Sequence, residues 1–490
     1  MRVFIFLGNF FVFFVLFVKG LLSQDFISFL ETFLIEIQYS TVRYNKTQPW
    51  KVEVGDDYRQ YGILIDSQMV LTQCDELPHA ITIHVEYKKK RYVGTLEFAD
   101  FEINFCIINV KGLEVKDFHW RKIPFGVEPS IKQNIQVAFY ENQKITTKNF
   151  VVSEYNLTSD YGFTRLPIFS VASSESLIVG SIAFVKDKII GFFSYKGEKK
   201  LHFVPVSRIV HFLETYSKKT YQGFVVGGTQ LEPLRDDAKI YFGLSEEDQA
   251  CMIKEILVGS SAYGFLNVGD VILEIDGIKP KMDCLYDDPL LGLQDWELLF
   301  SRKTDGSYRK PEEKIKVKLL RQFKPMEVEI VLRSFFASTS HPERIPWKVY
   351  GTQPYIVILG FVFIELSHSF LVERFGKQWR SRAIELAFLY DTKRHYKDHN
   401  EKDKVVIISD ILHHPVNVGL NNFQFKPIAK INRKPIFNLK HFYSIIQEHQ
   451  EQIIEIEFSD KRKLYLDLSK KEEHQQILKT YQIPKDVFLN

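Results

Sequence analysis

From about residue 37 to residue 212 the chain is cut into short apolar runs, and this restricts what it can fold into more than any other feature. Gly62-Ile63-Leu64-Ile65, Met69-Val70-Leu71-Thr72, Ile81-Thr82-Ile83-His84-Val85, Phe105-Cys106-Ile107-Ile108-Asn109-Val110, Ile135-Gln136-Val137-Ala138-Phe139 and Ile182-Ala183-Phe184-Val185 are rich in β-branched and aromatic side chains. Charged clusters such as Lys88-Lys89-Lys90 and Lys186-Asp187-Lys188 separate them. Runs this short, joined by turn-forming residues, read as strands and predict an all-β barrel domain. Residues 206–216 predict one short helix closing the region, with Ile209, Val210, Phe212 and Leu213 at helical spacing. Ser217-Lys218-Lys219 reads as a linker.

A second kind of signal follows. In Val268-Gly269-Asp270-Val271-Ile272-Leu273-Glu274-Ile275-Asp276-Gly277, Gly269-Asp270 makes a turn, the next strand alternates, and Asp276-Gly277 makes a hairpin turn. Ile428-Ala429-Lys430-Ile431-Asn432-Arg433-Lys434-Pro435 is another version of that hairpin, and Val405-Val406-Ile407-Ile408 reads as a buried strand. Two β-rich units, over 221–334 and from about 355 to the end, thus form a divergent internal repeat. Tandem small modules after a barrel point to binding units hung on a core domain.

The N-terminus is made for a membrane. Arg2 precedes an apolar run over residues 3–18, broken only by Gly8 and Asn9 and followed by Lys19-Gly20. The run is shorter than the ~20 residues of a spanning helix, and Val18-Lys19-Gly20 offers small-residue cleavage chemistry, whereas adding Leu21-Leu22 allows a retained anchor. Cleaved signal peptide and membrane anchor both stay open. On a secretory route, Asn45-Lys46-Thr47 and Asn156-Leu157-Thr158 are glycosylation acceptors. The 490 residues carry 64 basic and 61 acidic side chains, a formal net charge of +3, spread along the whole length. That excludes a strong field for recruiting nucleic acid. Cys74, Cys106, Cys251 and Cys284 lack C-x-x-C spacing, so they receive no chemistry, with a single bridge left open. His79 and His84 read as surface histidines, and His413-His414 as a turn before Pro415. No metal or cofactor is expected.

Ser260-Ser261-Ala262, Leu266 and the string beginning Val268-Gly269-Asp270 closely resemble the PDZ signature of the Deg/HtrA (protease Do-like) family of serine proteases. The last unit resembles the atypical second PDZ domain of the plant-type branch in Gly360-Phe361-Val362-Phe363, Asp410-Ile411 with Asn417-Val418-Gly419, and Asn438-Leu439-Lys440. The resemblance implies a mainly β chain: a signal peptide or anchor over 1–24, a chymotrypsin-like double β-barrel over 37–216, a PDZ domain over 221–335 and a second PDZ-like domain over 350–490.

In that family a His base follows a strand ending in Leu-Thr-Asn-Ala, an Asp precedes a strand of the type Leu-Ala-Val-Leu-Lys-Val, and the nucleophile sits in Gly-Asn-Ser-Gly-Gly-Pro. Carried onto Val70-Leu71-Thr72-Gln73-Cys74-Asp75, the base position holds Asp75, and the orienting position holds Asn104. Counting back from Ile189-Ile190-Gly191 puts Ile178 at the nucleophile, while a hairpin shorter by about three residues puts Ser181 there. The mechanism needs a neutral imidazole to take the hydroxyl proton and a carboxylate to orient it. Asp75 is too weak a base, Ile178 cannot be acylated, and only Gly180 remains of the oxyanion turn. The expectation is a catalytically inactive member acting as scaffold, accessory subunit or regulator. A weakly active endopeptidase using Ser181 or Ser176, and a holdase for unfolded chains, are the competing classes.

PDZ domains add an extended peptide to a sheet edge and hold its carboxylate on backbone N–H groups of a Gly-containing loop. By resemblance that loop is Val226-Gly227-Gly228-Thr229 in the first module and Leu359-Gly360-Phe361-Val362 in the second. The implied partners are proteins or peptides within an oligomer or larger complex, and a membrane where the leader is retained. The implied compartment is the mitochondrial inner membrane and intermembrane space, or the secretory lumen.

Overall fold

A computed structural model describes residues 26–141, 144–158, 164–334, 351–376, 378–393, 404–449 and 452–489. The leader over 1–24 lies outside them. Among the described residues no helix is long and apolar enough to cross a membrane. The chain divides into two compact units, residues 1–41 with 57–338, and residues 42–56 with 339–490.

The short apolar runs of the first unit become two closed six-stranded barrels. The first is built from β1 (Leu34–Tyr44), β2 (Val52–Leu64), β3 (Met69–Gln73), β4 (Ala80–Tyr87), β5 (Lys90–Asp100) and β6 (Phe105–Lys111), in the order β1-β2-β3-β6-β5-β4. The second uses β7 (Asn134–Glu141), β8 (Lys144–Thr158), β9 (Leu166–Ala172), β10 (Ile182–Val185), β11 (Lys188–Lys196) and β12 (Lys200–Pro205), in the order β10-β11-β12-β9-β8-β7. Closure removes free edges, which is how many short strands stay soluble together. Helix Val206–Ser217 adds Ile209, Phe212 and Leu213 to the first barrel's core, as its spacing predicts.

The cysteines depart from the sequence reading. Cys74 bridges Cys106 and Cys251 bridges Cys284, with Cα atoms 4.9 and 5.9 Å apart. Separations of 32 and 33 residues show no motif along the chain. Strand pairing supplies the proximity: Thr72 lies opposite Cys106 on the β3–β6 ladder, and Cys74 follows two residues on.

The first unit also holds a five-stranded sheet of β13 (Thr229–Pro233), β14 (Cys251–Ile256), β15 (Val271–Ile275), β18 (Lys314–Arg321) and β19 (Lys324–Val331), in that order, and a separate hairpin of β16 (Leu285–Asp288) and β17 (Gly292–Asp295). The foreseen Asp276-Gly277 turn has φ of 48° and 82°, with Ile275 bridged to Ile278.

The second unit has one sheet of β20 (Tyr355–Ile358), β21 (Phe361–Glu365), β22 (Val406–Ile411) and β27 (Val487–Phe488), and another of β23 (Ile428–Ile431), β24 (Lys434–Pro435), β25 (Ile453–Phe458) and β26 (Lys463–Asp467). Asn432 and Arg433, at φ 47° and 67°, turn the second version of the hairpin. Helix Leu439–Glu448 is capped by Asn438, whose Oδ1 accepts from His441 N at 2.8 Å, and buries Leu439, Phe442, Ile445 and Ile446. His414 caps the turn Pro415–Asn417 through Nδ1, which accepts from Val416 N at 3.3 Å. Residues 42–56 pack within this unit: Ser409 Oγ donates to Thr47 O at 2.8 Å and Lys46 N donates to Glu373 Oε1 at 2.9 Å.

Candidate functional site

The end of β3 and the start of β6 bring Asp75 and Asn104 face to face. Asn104 Nδ2 donates to Asp75 Oδ1 at 3.0 Å, and Asp75 N donates to Asn104 Oδ1 at 2.9 Å. Both residues have positive φ, 35° and 61°, so the backbone turns sharply at each, and the Cys74–Cys106 bridge staples the two turns together. Behind them lies a closed set of amides and hydroxyls. Gln73 Nε2 donates to Phe193 O at 2.8 Å, Ser194 Oγ donates to Gln73 Oε1 at 2.7 Å, and Gln60 Nε2 donates to Thr72 Oγ1 and Gln73 O at 2.9 and 2.8 Å. The bonds of Gln73 with Phe193 and Ser194 join β3 of one barrel to β11 of the other, and those of Gln60 tie β2 to β3. Buried hydrogen bonds of this kind make a rigid joint.

The nucleophile segment is equally committed. Ile178 packs, half-buried, on the first barrel's core. Ser181 is fully buried, and its hydroxyl donates to Ile178 O at 2.6 Å. The Gly180 amide donates to Phe193 O at 2.8 Å, so it is spent inside the barrel. Gly180 itself is required by packing: at φ 85°, a Cβ there would lie 2.2 Å from Tyr61 O. Ser176 is exposed, and its hydroxyl accepts from Lys196 Nζ at 3.2 Å. His79 pairs with Glu76, Nδ1 to Oε2 at 3.1 Å. One Ser–His contact escaped the sequence reading, Ser170 Oγ to His202 Nδ1 at 2.8 Å. These are cross-strand partners on β9 and β12, and Ser170 is fully buried, so no substrate carbonyl can reach the hydroxyl.

The two Gly loops take different forms. In the first module, Val226 N donates to Arg333 O at 2.9 Å, and the carbonyls of Val226, Gly227 and Gly228 accept from Ser261, Ala262 and Leu257 at 2.9, 3.1 and 2.7 Å. The amides of Gly228 and Thr229 both donate to Glu297 Oε1, at 2.7 and 3.0 Å. Glu297 lies on the 3-10 turn Trp296–Phe300, and its Oε2 is 3.4 Å from Arg165 Nη1. Burial, then the nearby charge of Asp295, pushes its carboxyl up to about 7, against the opposing pull of Arg165 and the two amides. In the second module, Leu359 and Gly360, at φ 48° and 88°, form a two-residue hairpin turn, with Ile358 paired to Phe361 and Val357 to Val362. Phe361 and Val362 are thus buried strand residues. The segment that reads by resemblance as a binding loop is here a tight turn between two paired strands.

A family model described as a PDZ domain matches residues 345–487. Among curated proteins, Protease Do-like 12, mitochondrial (a provisional name), of Arabidopsis thaliana is 24% identical over 432 residues, covering 84% of this chain and 78% of its own. Protease Do-like 2, chloroplastic, of the same plant is 23% identical over 463 residues, covering 89% of this chain and 72% of its own. Among solved structures, an HtrA-type protease AlgW with decapeptide is 12% identical at a TM-score of 0.41, covering 61% of this chain and 94% of that one.

Proposed function

We propose that this chain, which belongs to the Deg/HtrA (protease Do-like) family, keeps the family's serine-protease architecture without its chemistry, and works as a scaffold, accessory subunit or regulator that holds protein partners. The observation that carries this reading is the Asp75–Asn104 pair. A carboxylate and an amide, bonded to each other at 3.0 and 2.9 Å, stand where the resemblance places base and orienter. Neither residue carries an imidazole to take a proton, and the hydroxyl of Ser181 is enclosed and donates to a carbonyl.

The compartment follows the same reading. Two disulfides persist only where thiols are not kept reduced, which supports the intermembrane space or the secretory lumen over a reducing cytosol. The barrel pair over 37–216 and the modules over 221–335 and 350–490 then act as core and binding units.

Labelling with a fluorophosphonate probe, alongside casein digestion, tests the loss of chemistry. The expected result is no labelling and no cleavage above a heat-denatured control. Labelling that disappears in Ser181→Ala or Ser176→Ala assigns the chain to the weakly active endopeptidases instead. Suppression of client aggregation at stoichiometric amounts, without a stable complex, assigns it to the holdases.

A further inference from the structure

The amides that would hold a peptide's end in the first module already have a ligand. Gly228 N and Thr229 N converge on one oxygen of Glu297, at 2.7 and 3.0 Å. The other oxygen faces the Arg165 guanidinium, which also binds Asp295 Oδ2 at 2.9 Å. Glu297 is held from behind: its N–H donates to Asp295 Oδ1 at 3.0 Å, and its neighbours Trp296, Leu298 and Phe300 are buried. The side chain itself is only 13% exposed.

The loop cannot swing away to make room for a second anion. Its carbonyls are bonded to Ser261, Ala262 and Leu257. A Cβ at Gly228 would fall 2.1 Å from Ser260 Cβ, and one at Gly227 would fall 3.0 Å from Phe300 Cβ. Two carboxylates on the same pair of N–H donors would repel each other, and one of them would have no donor left.

We infer that Glu297 is a built-in ligand of the Val226-Gly227-Gly228-Thr229 loop and excludes free C-terminal carboxylates from it, which makes this side chain the specificity determinant of the first module. The inference rests on reading the loop as a peptide site. β13, which starts at Thr229, is the edge strand of its sheet, so a peptide's end would have to enter beside this carboxylate. A chain end must displace Glu297, whereas a segment without a terminal charge makes no demand on the two amides.

The test uses the immobilised full chain and two pools of random decapeptides with an apolar last residue, one pool ending in a free acid and the other in an amide, read by mass spectrometry. The wild type is expected to retain both pools equally. Glu297→Ala should retain the acid pool about tenfold better than the amide pool, a gap of roughly one decade in Kd. Glu297→Gln, whose carbonyl oxygen still accepts from both amides, should behave as the wild type. Acid preference in the wild type, or its failure to emerge in Glu297→Ala, overturns the inference and leaves the peptide site standing. Retention of neither pool by either protein removes the peptide site and the inference together. Amide hydrogen exchange on the wild type reads the contact without any variant: Gly228 and Thr229 should be equally protected with and without the acid pool, and protection that rises on adding it counts against Glu297 as the occupant.

Discussion

The two PDZ-like modules share a hairpin and part company at the loop that precedes it. Both loops need glycine with positive φ, and both glycines are walled in. A Cβ at Gly228 would meet Ser260 at 2.1 Å, and one at Gly360 would meet Asn417 Nδ2 at 2.4 Å. In the first module the two sides of the loop do not pair with each other, since the chain from Thr229 onward pairs with β14, and two amides stay in reach of a carboxylate, which Glu297 supplies. In the second, Ile358 pairs directly with Phe361 across Leu359-Gly360, and the Leu359 amide donates to His474 Nδ1 at 3.4 Å. The same residue pattern thus makes an anion nest or a closed turn, according to whether the flanking segments pair.

The segment that closes the first nest is the sharpest place to break this contrast. It runs from β16 to the 3-10 turn and is anchored by Arg302, whose guanidinium is fully buried. Its Nη2 binds Glu128 Oε2 at 2.8 Å, its Nη1 binds Asp288, and Tyr286 donates to Asp288 at 3.0 Å. Arg302→Ala leaves two buried carboxylates without their cation, which costs about 3–5 kcal/mol. Urea denaturation should show the transition of the first unit moved to lower denaturant and that of the second unit unmoved. A loss below about 1 kcal/mol would mean that the segment stands without its anchor.

What the sequence made legible was local. Strand runs, the Asp276-Gly277 turn and the helix over 206–216 follow from periodicity and turn chemistry within a few residues. The resemblance singled out Asp75 and Asn104 because each lies beside a strand with a recognisable apolar pattern, and strand pairing brings the two into contact. The disulfides, the Ser170–His202 contact and the role of Glu297 were not readable, since each depends on partners 32 to 69 residues away that only strand pairing or packing brings together. Glu297 left one faint trace: an acidic residue inside Trp296-Glu297-Leu298-Leu299-Phe300, an otherwise apolar stretch. At Leu359-Gly360 the resemblance pointed to a loop where the backbone makes a tight turn, because both require positive φ.

The next effect in size separates the nests by pH. Burial and Asp295 raise the Glu297 carboxyl from 4.5 to about 7 in the fold, with Arg165 and the amides of Gly228 and Thr229 opposing. Between those values the folded chain holds a proton that the unfolded chain has released. Stability therefore falls as pH rises from about 4.5 to about 7, by on the order of 3 kcal/mol. Glu297→Gln removes this titration, so its stability relative to wild type should climb across the same window. Groups elsewhere with a slope of the same sign cancel in the difference. A difference that stays flat with pH would show that the carboxylate is not held in the buried contact.

The smallest effect probes the second module's closed turn. Leu359 takes the left-handed region without being glycine, and Asn417 holds it there. Asn417 Nδ2 donates to Leu359 O at 3.0 Å and to Leu412 O at 2.7 Å, while its Oδ1 accepts from His414 N at 3.1 Å. Asn417→Ala strands two carbonyls in a buried place and should cost about 1.5 kcal/mol, confined to the second unit's transition. The same substitution widens the space around Gly360, since the atom nearest to an added Cβ is Asn417 Nδ2. Gly360→Ala should then cost less in the Asn417→Ala background than alone, and a double-mutant cycle reads the coupling. Strict additivity would place the strain at Gly360 in the backbone, where Leu412 O lies 2.7 Å from the added Cβ. The turn would then be closed by its own paired strands, with Asn417 only filling the gap behind it.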